Sequence, residues 1–288
     1  MSDLSMIAAV LVWAAVPLLV GLLLGLDRLL TARLQGRKGP PIAQPLRDLA
    51  KLLGKDSKQV NASQVVFAYL ALGLQAAAAL LLITGGDILT AFLVSGAGSF
   101  VMVLGALSVR SPYSHLGAQR ELVQMMATEP VLLLVVLSIG YAGGSFLGSE
   151  VGELLFATLP LAALALVPAF LIRLEKSPYD VATAHSEVVS GPYVEYSGRA
   201  LGITKLAHWF ELAVLFGILL LLFNQPDPIA DAAVKAAVVL VVVFAAALID
   251  NSTARSTRWG LLRSALAFGL GAAGINLLLV YMSTAGVI

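Results

Sequence analysis

Long apolar runs separated by short polar segments follow one another along the whole chain. We place these runs at residues 5–30, 64–83, 88–109, 120–141, 154–172, 203–223, 232–250 and 261–283. Each is close to the length of about 20 residues that a helix needs to span the hydrocarbon core of a membrane. The pattern predicts an all-α integral membrane protein with about eight transmembrane helices.

The composition agrees with this pattern. With 59% hydrophobic residues, 12% charged residues and a mean hydropathy of +0.92, the chain differs from a soluble globular domain. The sequence contains no repeat of fixed period. We therefore expect residues 1–288 to form a single polytopic membrane domain with no soluble domain appended. The first run has its positive charges after it rather than before it, so we expect it to be retained rather than removed as a signal peptide.

Basic residues are concentrated in every second polar segment. All of the 18 Lys and Arg residues except Lys235 fall on one side of the predicted bundle. The opposite side carries acidic residues, namely Asp3, Asp87, Glu150, Glu153, Asp227 and Asp231. Because short cytoplasmic loops are enriched in Lys and Arg, we predict that the basic side faces the cytoplasm and that both termini lie outside.

Between the first two predicted spans, apolar residues recur at i, i+3, i+4 and i+7 with charged residues opposite. The apolar positions are Leu46, Leu49, Ala50 and Leu53, and the charged ones are Arg47, Asp48, Lys51 and Lys55. This predicts an amphipathic helix on the cytoplasmic face. Small residues allow close helix approach, so we interpret the glycines of the first and last spans as packing positions: Gly21, Gly25, Gly269, Gly271 and Gly274.

Ionisable side chains inside a membrane are costly and therefore informative. Glu129 lies about half-way along the fourth predicted helix, directly before Pro130, whose missing N–H favours a kink. The sixth carries Lys205, His208 and Glu211 at successive i, i+3 spacings, so neighbouring side chains can touch. We interpret these four ionisable residues as a proton or ion path; the alternative is that Glu129 pairs with a neighbouring helix and only supports packing.

Two further carboxylates, Asp27 and Asp250, lie near predicted cytoplasmic helix ends. Snorkelling or helix capping explains a carboxylate at such a place. We therefore rank both residues below Glu129 and Glu211 as members of the path.

The composition also excludes several kinds of chemistry. The chain has no cysteine, so it cannot supply thiolate ligands to an iron–sulfur cluster, a haem or nickel. The three histidines lack metal-ligand spacing, and the usual nucleotide-binding and hydrolase motifs are missing. A net charge of +1 gives no reason to expect a nucleic-acid partner; the expected surrounding is a lipid bilayer.

The polar segment between the fifth and sixth predicted helices, from Arg173 to Ala200, is too long for a plain connector. It carries four carboxylates, at Glu175, Asp180, Glu187 and Glu195. Valines and alanines alternate with these polar residues. We predict a long acidic cytoplasmic loop that packs against other parts of the protein.

Three ordered motifs carry a resemblance to a known family. Residues 175–198 read EKSPYDVATAHSEVVSGPYVEYSG. This segment resembles a loop of the membrane subunit 1 family of respiratory complex I, which has eight helices and a loop of the form E-R-x-P-F-D-x-x-E-x-E-x-E-L-V-x-G-x-x-x-E-Y-S-G. Two other segments are also similar to the family: QGRKGPP at 35–41 with QPLRDLAKLL at 44–53, and AQRELVQMMATEP at 118–130.

Departures from the family pattern point to one branch of it. Thr183 and His185 stand where complex I members carry glutamates, and Asp27-Arg28-Leu29 stands in place of an E-R-K-like run. With its short loops, the chain is more similar to the corresponding subunit of membrane-bound, energy-converting nickel–iron hydrogenases. The resemblance implies a subunit that anchors a peripheral redox arm and couples electron transfer there to translocation of protons or sodium ions.

The resemblance also implies partners and residue roles. It implies no complete catalytic site and no cofactor in this chain, with iron–sulfur clusters and a nickel–iron site in partner subunits. These partners are hydrogenase-like large and small subunits, a ferredoxin-like iron–sulfur subunit and an antiporter-like membrane subunit, in the inner membrane of a prokaryotic cell. Four residues would line the junction with the peripheral arm: Arg37, Asp180, Glu187 and Glu195.

Three alternatives stay open. The chain is also similar to the quinone-binding subunit 1 of complex I itself. A stand-alone ion-coupled transporter would use the same buried carboxylates, although it predicts inverted internal repeats. A purely structural anchor would tolerate neutralisation of Glu129 or Glu211.

Overall fold

A computed structural model describes residues 3–58, 61–152 and 155–284, in which the secondary structure is helical apart from one isolated bridge between Asp87 and Leu147. The helices are α1 (Asp3–Leu34), α2 (Gln44–Leu53), α3 (Ala62–Ile83), α4 (Ile88–Leu107), α5 (Pro112–Gly143), α6 (Leu155–Thr158), α7 (Pro160–Ala165), α8 (Val167–Arg173), α9 (His185–Val188), α10 (Gly198–Leu220), α11 (Pro228–Ser252) and α12 (Arg258–Thr284). Seven of these described helices are long and apolar enough to cross a membrane. The predicted all-α membrane class is confirmed.

The fifth predicted span, at 154–172, differs from the others because it is not one long helix. Its described part is divided into α6, α7 and α8, and the apolar stretch Pro160–Arg173 is shorter than the seven long spans. Pro160 lies at the start of α7 and Pro168 at the start of α8. Proline has no N–H and its ring clashes with the preceding turn, so the helix is interrupted at both residues.

This broken segment still runs from one end of the bundle to the other. At the far end, formed by 84–87, 144–152 and 224–227, Phe156 stacks on Phe223 with ring centroids 4.7 Å apart. At the loop end, formed by 35–58, 108–111, 174–197 and 253–257, Lys176 pairs with Asp27 at 2.8 Å. The chain therefore crosses the bundle at all eight predicted places, seven times as a long helix and once as a broken one.

The helices differ in how much protein surrounds them. More than half of the apolar window is buried in α5 and α10, 56% and 61%, whereas the values for the other five long spans lie between 17% and 39%. Polar side chains on the buried faces of α5 and α10 therefore contact protein rather than lipid, and both helices contribute to the candidate site.

The predicted amphipathic helix is α2. It packs against α1 and α10 at the loop end, and glycines of α1 make room for the segment that contains it. A Cβ on Gly25 would lie 1.7 Å from the carbonyl oxygen of Ile42, and one on Gly21 would lie 2.4 Å from Leu46 Cδ2. The packing interpretation holds for these two glycines and for Gly269, which meets Val131. It does not hold within this chain for Gly271 and Gly274, which have no described neighbour atom within 4 Å.

The acidic loop lies across the loop end, as its apolar residues predict. The side chain of Gln124 on α5 donates to the carbonyl oxygen of Tyr179 at 2.7 Å. The backbone N–H of Ser256 donates to Pro178 O at 2.8 Å, and that of Arg199 donates to Lys55 O at 3.1 Å. The loop therefore connects α5, the α11–α12 turn and the segment after α2.

Single cysteines test the predicted orientation without background, because the chain has none of its own. Lys55→Cys and Thr253→Cys lie at the loop end, Glu150→Cys and Pro226→Cys lie at the far end, and all four positions are exposed. Since the loop end and the helix ends beside it carry most of the basic residues, we expect a membrane-impermeant maleimide to label the first pair only from the cytoplasmic side and the second pair only from outside. Labelling of both pairs from one side would contradict the eight-crossing topology.

Candidate functional site

A buried arginine lies at the end of α8, directly before the acidic loop. The side chain of Arg173 is only 6% exposed, and its guanidinium contacts three carboxylates. Nη1 lies 3.1 Å from Glu121 Oε1 and 2.9 Å from Glu211 Oε1, and Nη2 lies 3.1 Å from Glu129 Oε1. The planar fork of an arginine allows such multiple contacts with carboxylates. We call these four residues the Arg173 cluster.

The helices explain why these carboxylates meet. Glu121 and Glu129 are eight residues apart on α5, so they project to the same side of that helix. Glu211 comes from α10, the most buried of the long spans. Because Arg173 ends a short helix that approaches both α5 and α10, its side chain reaches all three carboxylates.

Glu211 has further partners on two helices. Its Oε2 lies 3.1 Å from Nδ1 of His208, one turn earlier on α10. Its Oε1 accepts a hydrogen bond from the hydroxyl of Ser99 on α4. Ser99 in turn accepts from the amide of Gln75 at 3.1 Å, and that amide accepts at 2.8 Å from Ser95. A continuous chain of hydrogen-bonding side chains thus runs from His208 into the α3–α4 pair.

The charge balance of the cluster is unusual for a buried site. Three carboxylates surround one guanidinium, so the ionised groups leave an excess of negative charge in a poorly solvated place. Burying an uncompensated charge is strongly unfavourable, and a bound proton or cation removes the excess. The geometry therefore suits a group that takes up and releases protons.

Small cavities adjoin these carboxylates. One of about 20 Å³ is lined by Glu129, Glu211 and Arg173, and another of about 20 Å³ by Glu211, His208 and Glu121. A water molecule needs about 10–15 Å³ of such volume and several polar partners, which both cavities provide. At the first, a Cβ on Gly96 would lie 3.2 Å from Glu129 Oε2, so the glycine leaves room for the carboxylate.

A second ion-pair cluster lies beside the first, on the loop. Nζ of Lys176 is 2.8 Å from Asp27 Oδ2 and 3.2 Å from Asp250 Oδ2. Asp250 also accepts from the backbone N–H of Ser177 at 3.0 Å. Asp27 and Asp250 therefore pair across helices with one buried lysine, and the snorkelling or capping interpretation is wrong for both. Through their ion pairs with Lys176, Asp27 and Asp250 link α1 and α11 to the start of the loop.

The four residues expected at the arm junction do not form one group. Asp180 pairs with Arg255 at 2.7 Å and Glu187 pairs with Arg120 at 2.6 Å, so both hold the loop to the protein. Arg37 is exposed and Glu195 is half-buried. Neither Arg37 nor Glu195 forms an ion pair with another residue in the described ranges.

Lys205 does not take part in the contact between His208 and Glu211. It is exposed, and within the described part of the chain it forms no ion pair. It lines a cavity of about 420 Å³ between α1, α2, the loop and α10, which His208, Arg173 and Asp27 also line. The predicted contact between His208 and Glu211 is present, whereas Lys205 stands at the cavity wall.

Two loop tyrosines border the same region. Desolvation raises the pKa of the Tyr193 phenol well above its usual range, and the carboxylates of Glu121 and Glu175 raise it further. Burial also raises the pKa of Tyr196, whose hydroxyl has no hydrogen-bond partner among the described residues. Both phenols therefore stay protonated at neutral pH and can donate a hydrogen bond.

Two members of the Arg173 cluster were not identified as site residues from the sequence. Arg173 directly follows an apolar run, and a basic residue at such a position is usually interpreted as flanking a transmembrane helix on its cytoplasmic side. Glu121 lies at the predicted start of the fourth helix, but α5 begins at Pro112, two turns earlier. The spacing of eight residues between Glu121 and Glu129 is the signal that points to a shared face.

The fold and the site together define a multi-pass membrane protein with a buried ion-pair cluster beneath a long loop. The sequence profile of the NADH dehydrogenase family matches residues 7–281. The chain therefore belongs to the NADH dehydrogenase family, in agreement with the resemblance to complex I subunit 1.

Individual relatives come from both branches of the family. The chain is 31% identical over 278 residues to formate hydrogenlyase subunit 4 of Escherichia coli, covering 87% of this chain and 89% of that one. It is 30% identical over 265 residues to hydrogenase-4 component C of the same organism, with coverages of 83% and 84%. It is 28% identical over 246 residues to a subunit of the NADH-quinone oxidoreductase of Syntrophobacter fumaroxidans, covering 74% of each.

A solved structure shares the fold. A chain of the membrane-bound sulfane sulfur reductase, an archaeal respiratory membrane complex, superimposes with a TM-score of 0.81 at 23% identity. The match covers 96% of this chain and 99% of that one. The two chains therefore share the same arrangement of helices.

Proposed function

We propose that this chain is the membrane subunit of an energy-converting nickel–iron hydrogenase complex. It anchors the peripheral redox arm and couples electron transfer in that arm to translocation of protons or sodium ions. The observation that carries this proposal is the Arg173 cluster, a buried group with more carboxylates than cations that lies directly beneath the loop. The similarity to formate hydrogenlyase subunit 4 and hydrogenase-4 component C supports the hydrogenase branch.

The proposed proton path begins at the 420 Å³ cavity, where Lys205 and His208 line the wall. His208 contacts Glu211 at 3.1 Å, and Glu211 and Glu129 line one cavity with room for about one water. A proton can therefore pass from His208 to Glu211 and, across a water, to Glu129. Arg173 holds the carboxylates in place and offsets part of their charge.

The loop provides the proposed link to the redox arm. Arg173 and Lys176 are three residues apart, and each is the cation of a separate ion-pair cluster. A displacement of the loop by the arm would shift both cations relative to their carboxylates and so change the proton affinity of those carboxylates. We assign the docking contacts to Arg37 and Glu195, which have no ion-pair partner within the described ranges, and a loop-holding role to Asp180 and Glu187.

The partners of this subunit are proposed from the same branch. They are hydrogenase-like large and small subunits with a nickel–iron site, a ferredoxin-like subunit with iron–sulfur clusters, and an antiporter-like membrane subunit. We place the complex in the inner membrane of a prokaryotic cell, with both termini of this chain outside.

A second candidate function is the quinone-binding subunit of an NADH-quinone oxidoreductase. Two observations favour it: the similarity to a subunit of the Syntrophobacter fumaroxidans NADH-quinone oxidoreductase and the 420 Å³ cavity at the loop end, which falls within the range of about 300–1,000 Å³ typical of ligand sites.

Assays of the purified complex distinguish the two candidates. For the hydrogenase we expect nickel in the complex, hydrogen evolution from a low-potential donor such as reduced ferredoxin, and no effect of quinone-site inhibitors. A hydrogenase needs no quinone head-group site, because protons are the electron acceptor at the nickel–iron centre of the partner. A complex without nickel that reduces quinone in an inhibitor-sensitive reaction would reverse the assignment.

A further inference from the structure

A second large cavity, of about 580 Å³, lies at the loop end, outside the Arg173 cluster and the proposed proton path. Its walls come from the start of α5, the acidic loop, the α11–α12 turn and the first residues of α12. The proposed function assigns nothing to this cavity.

Arginines dominate the polar wall of this cavity. Arg120 pairs with Glu187 at 2.6 Å and Arg255 pairs with Asp180 at 2.7 Å. Arg258 also lines the cavity, but it forms no ion pair with any residue that the structure describes; its guanidinium lies 5.7 Å from the ring centre of Trp259. The cavity therefore presents a cation that has no carboxylate of its own.

The other wall is apolar and extends into the membrane span. Leu116 and Val123 on α5 both line the cavity. They are seven residues apart, which is about 10 Å along a helix. Trp259 lies at the start of α12 and is 58% exposed. Arginine and tryptophan at a helix end are typical of the headgroup region of a bilayer, and leucine and valine below them are typical of the acyl region.

We propose that this cavity binds an anionic phospholipid, with its phosphate at Arg258 and the upper part of an acyl chain along Leu116 and Val123. Basic pockets between transmembrane helices bind such headgroups. An acidic segment of a partner protein would also pair with Arg258, but it would leave the apolar wall without a matching surface. The position of the cavity at the end of two membrane spans favours the lipid.

The test uses the full chain reconstituted in nanodiscs with equal amounts of phosphatidylglycerol and phosphatidylcholine. After extraction in mild detergent, native mass spectrometry counts the retained lipids, and titration gives the phosphatidylglycerol affinity. We expect the wild type to retain phosphatidylglycerol in preference to phosphatidylcholine. Arg258→Gln should weaken this binding about fivefold, as expected for the loss of one arginine near the membrane surface. Arg258→Lys keeps the charge and should bind like the wild type.

Two other variants make the test specific. Arg263→Gln removes an exposed arginine of α12 that does not line the cavity, so it should leave the affinity unchanged. Thr257→Glu adds a carboxylate at an exposed position of the cavity wall and should weaken binding by a similar factor. This second variant keeps the test decisive should Arg258→Gln reduce the yield of monodisperse protein.

Four results would overturn the proposal. Equal retention of the two lipids would exclude a site for an anionic headgroup. An equal effect of Arg258→Gln and Arg263→Gln would indicate general surface charge. Displacement of the lipid by millimolar inorganic phosphate would assign the cavity to a free anion. In the assembled complex, release of peripheral subunits by Arg258→Gln with unchanged lipid retention would assign it to a protein partner.

Discussion

Exchange of Glu211 for Gln is expected to lower redox-linked ion pumping by at least about tenfold while the complex still assembles. The amide keeps the shape of the side chain and can still accept from Ser99, but it carries no titratable proton. Arg173 retains Glu121 and Glu129 as partners, and the loss of one negative charge reduces the excess in the cluster. We expect Glu129→Gln to have the same effect, because both carboxylates line one small cavity.

Membrane vesicles that contain the assembled complex allow both activities to be followed together, with a pH-sensitive dye for pumping and an electron-transfer assay for the redox reaction. Glu150→Gln is the control, because it removes an exposed carboxylate at the far end. Normal pumping by both the Glu129 and the Glu211 variants would reject the proton path and leave the cluster with a structural role.

Exchange of Arg173 for Gln is expected to destabilise the protein by about 3–5 kcal/mol, the range found when one partner of a buried ion pair is removed. Three carboxylates would then remain together without their guanidinium. Since proteins are stable by only about 5–15 kcal/mol, we expect little folded protein in the membrane and a lower midpoint of thermal unfolding in detergent. Arg173→Lys keeps one charge but lacks the planar fork, so its effect should be intermediate.

A double-variant cycle separates the electrostatic cause from loss of packing. Adding Glu211→Gln to Arg173→Gln removes one of the three carboxylates that have lost the guanidinium, so the double variant should be more stable than Arg173→Gln alone, a non-additive result. Arg110→Gln, at an exposed position of the loop end, should have no effect on the unfolding midpoint. A double variant no more stable than Arg173→Gln would show that the cost arises from packing rather than charge.

The hydropathy pattern predicted the membrane class and the positions of the helices, because backbone N–H and C=O groups in lipid must be paired within the segment and a helix does this locally. The prediction was least accurate at 154–172, where Pro160 and Pro168 divide the span into short helices. The two prolines of this segment indicate a break in the helix, but the hydropathy of the segment does not reveal that a backbone N–H is missing.

The sequence by itself also determined that Glu129 and Glu211 lie in membrane spans, since both residues interrupt apolar runs. Only the tertiary structure decided what these carboxylates contact. Arg173 is 44 residues from Glu129 and 52 residues from Glu121, and no local period links residues so far apart. The same holds for Lys176, which pairs with Asp27 and Asp250 from opposite ends of the chain. Helix formation is a local property that a sequence displays directly, whereas the sharing of one cation by several distant carboxylates depends on how the helices pack.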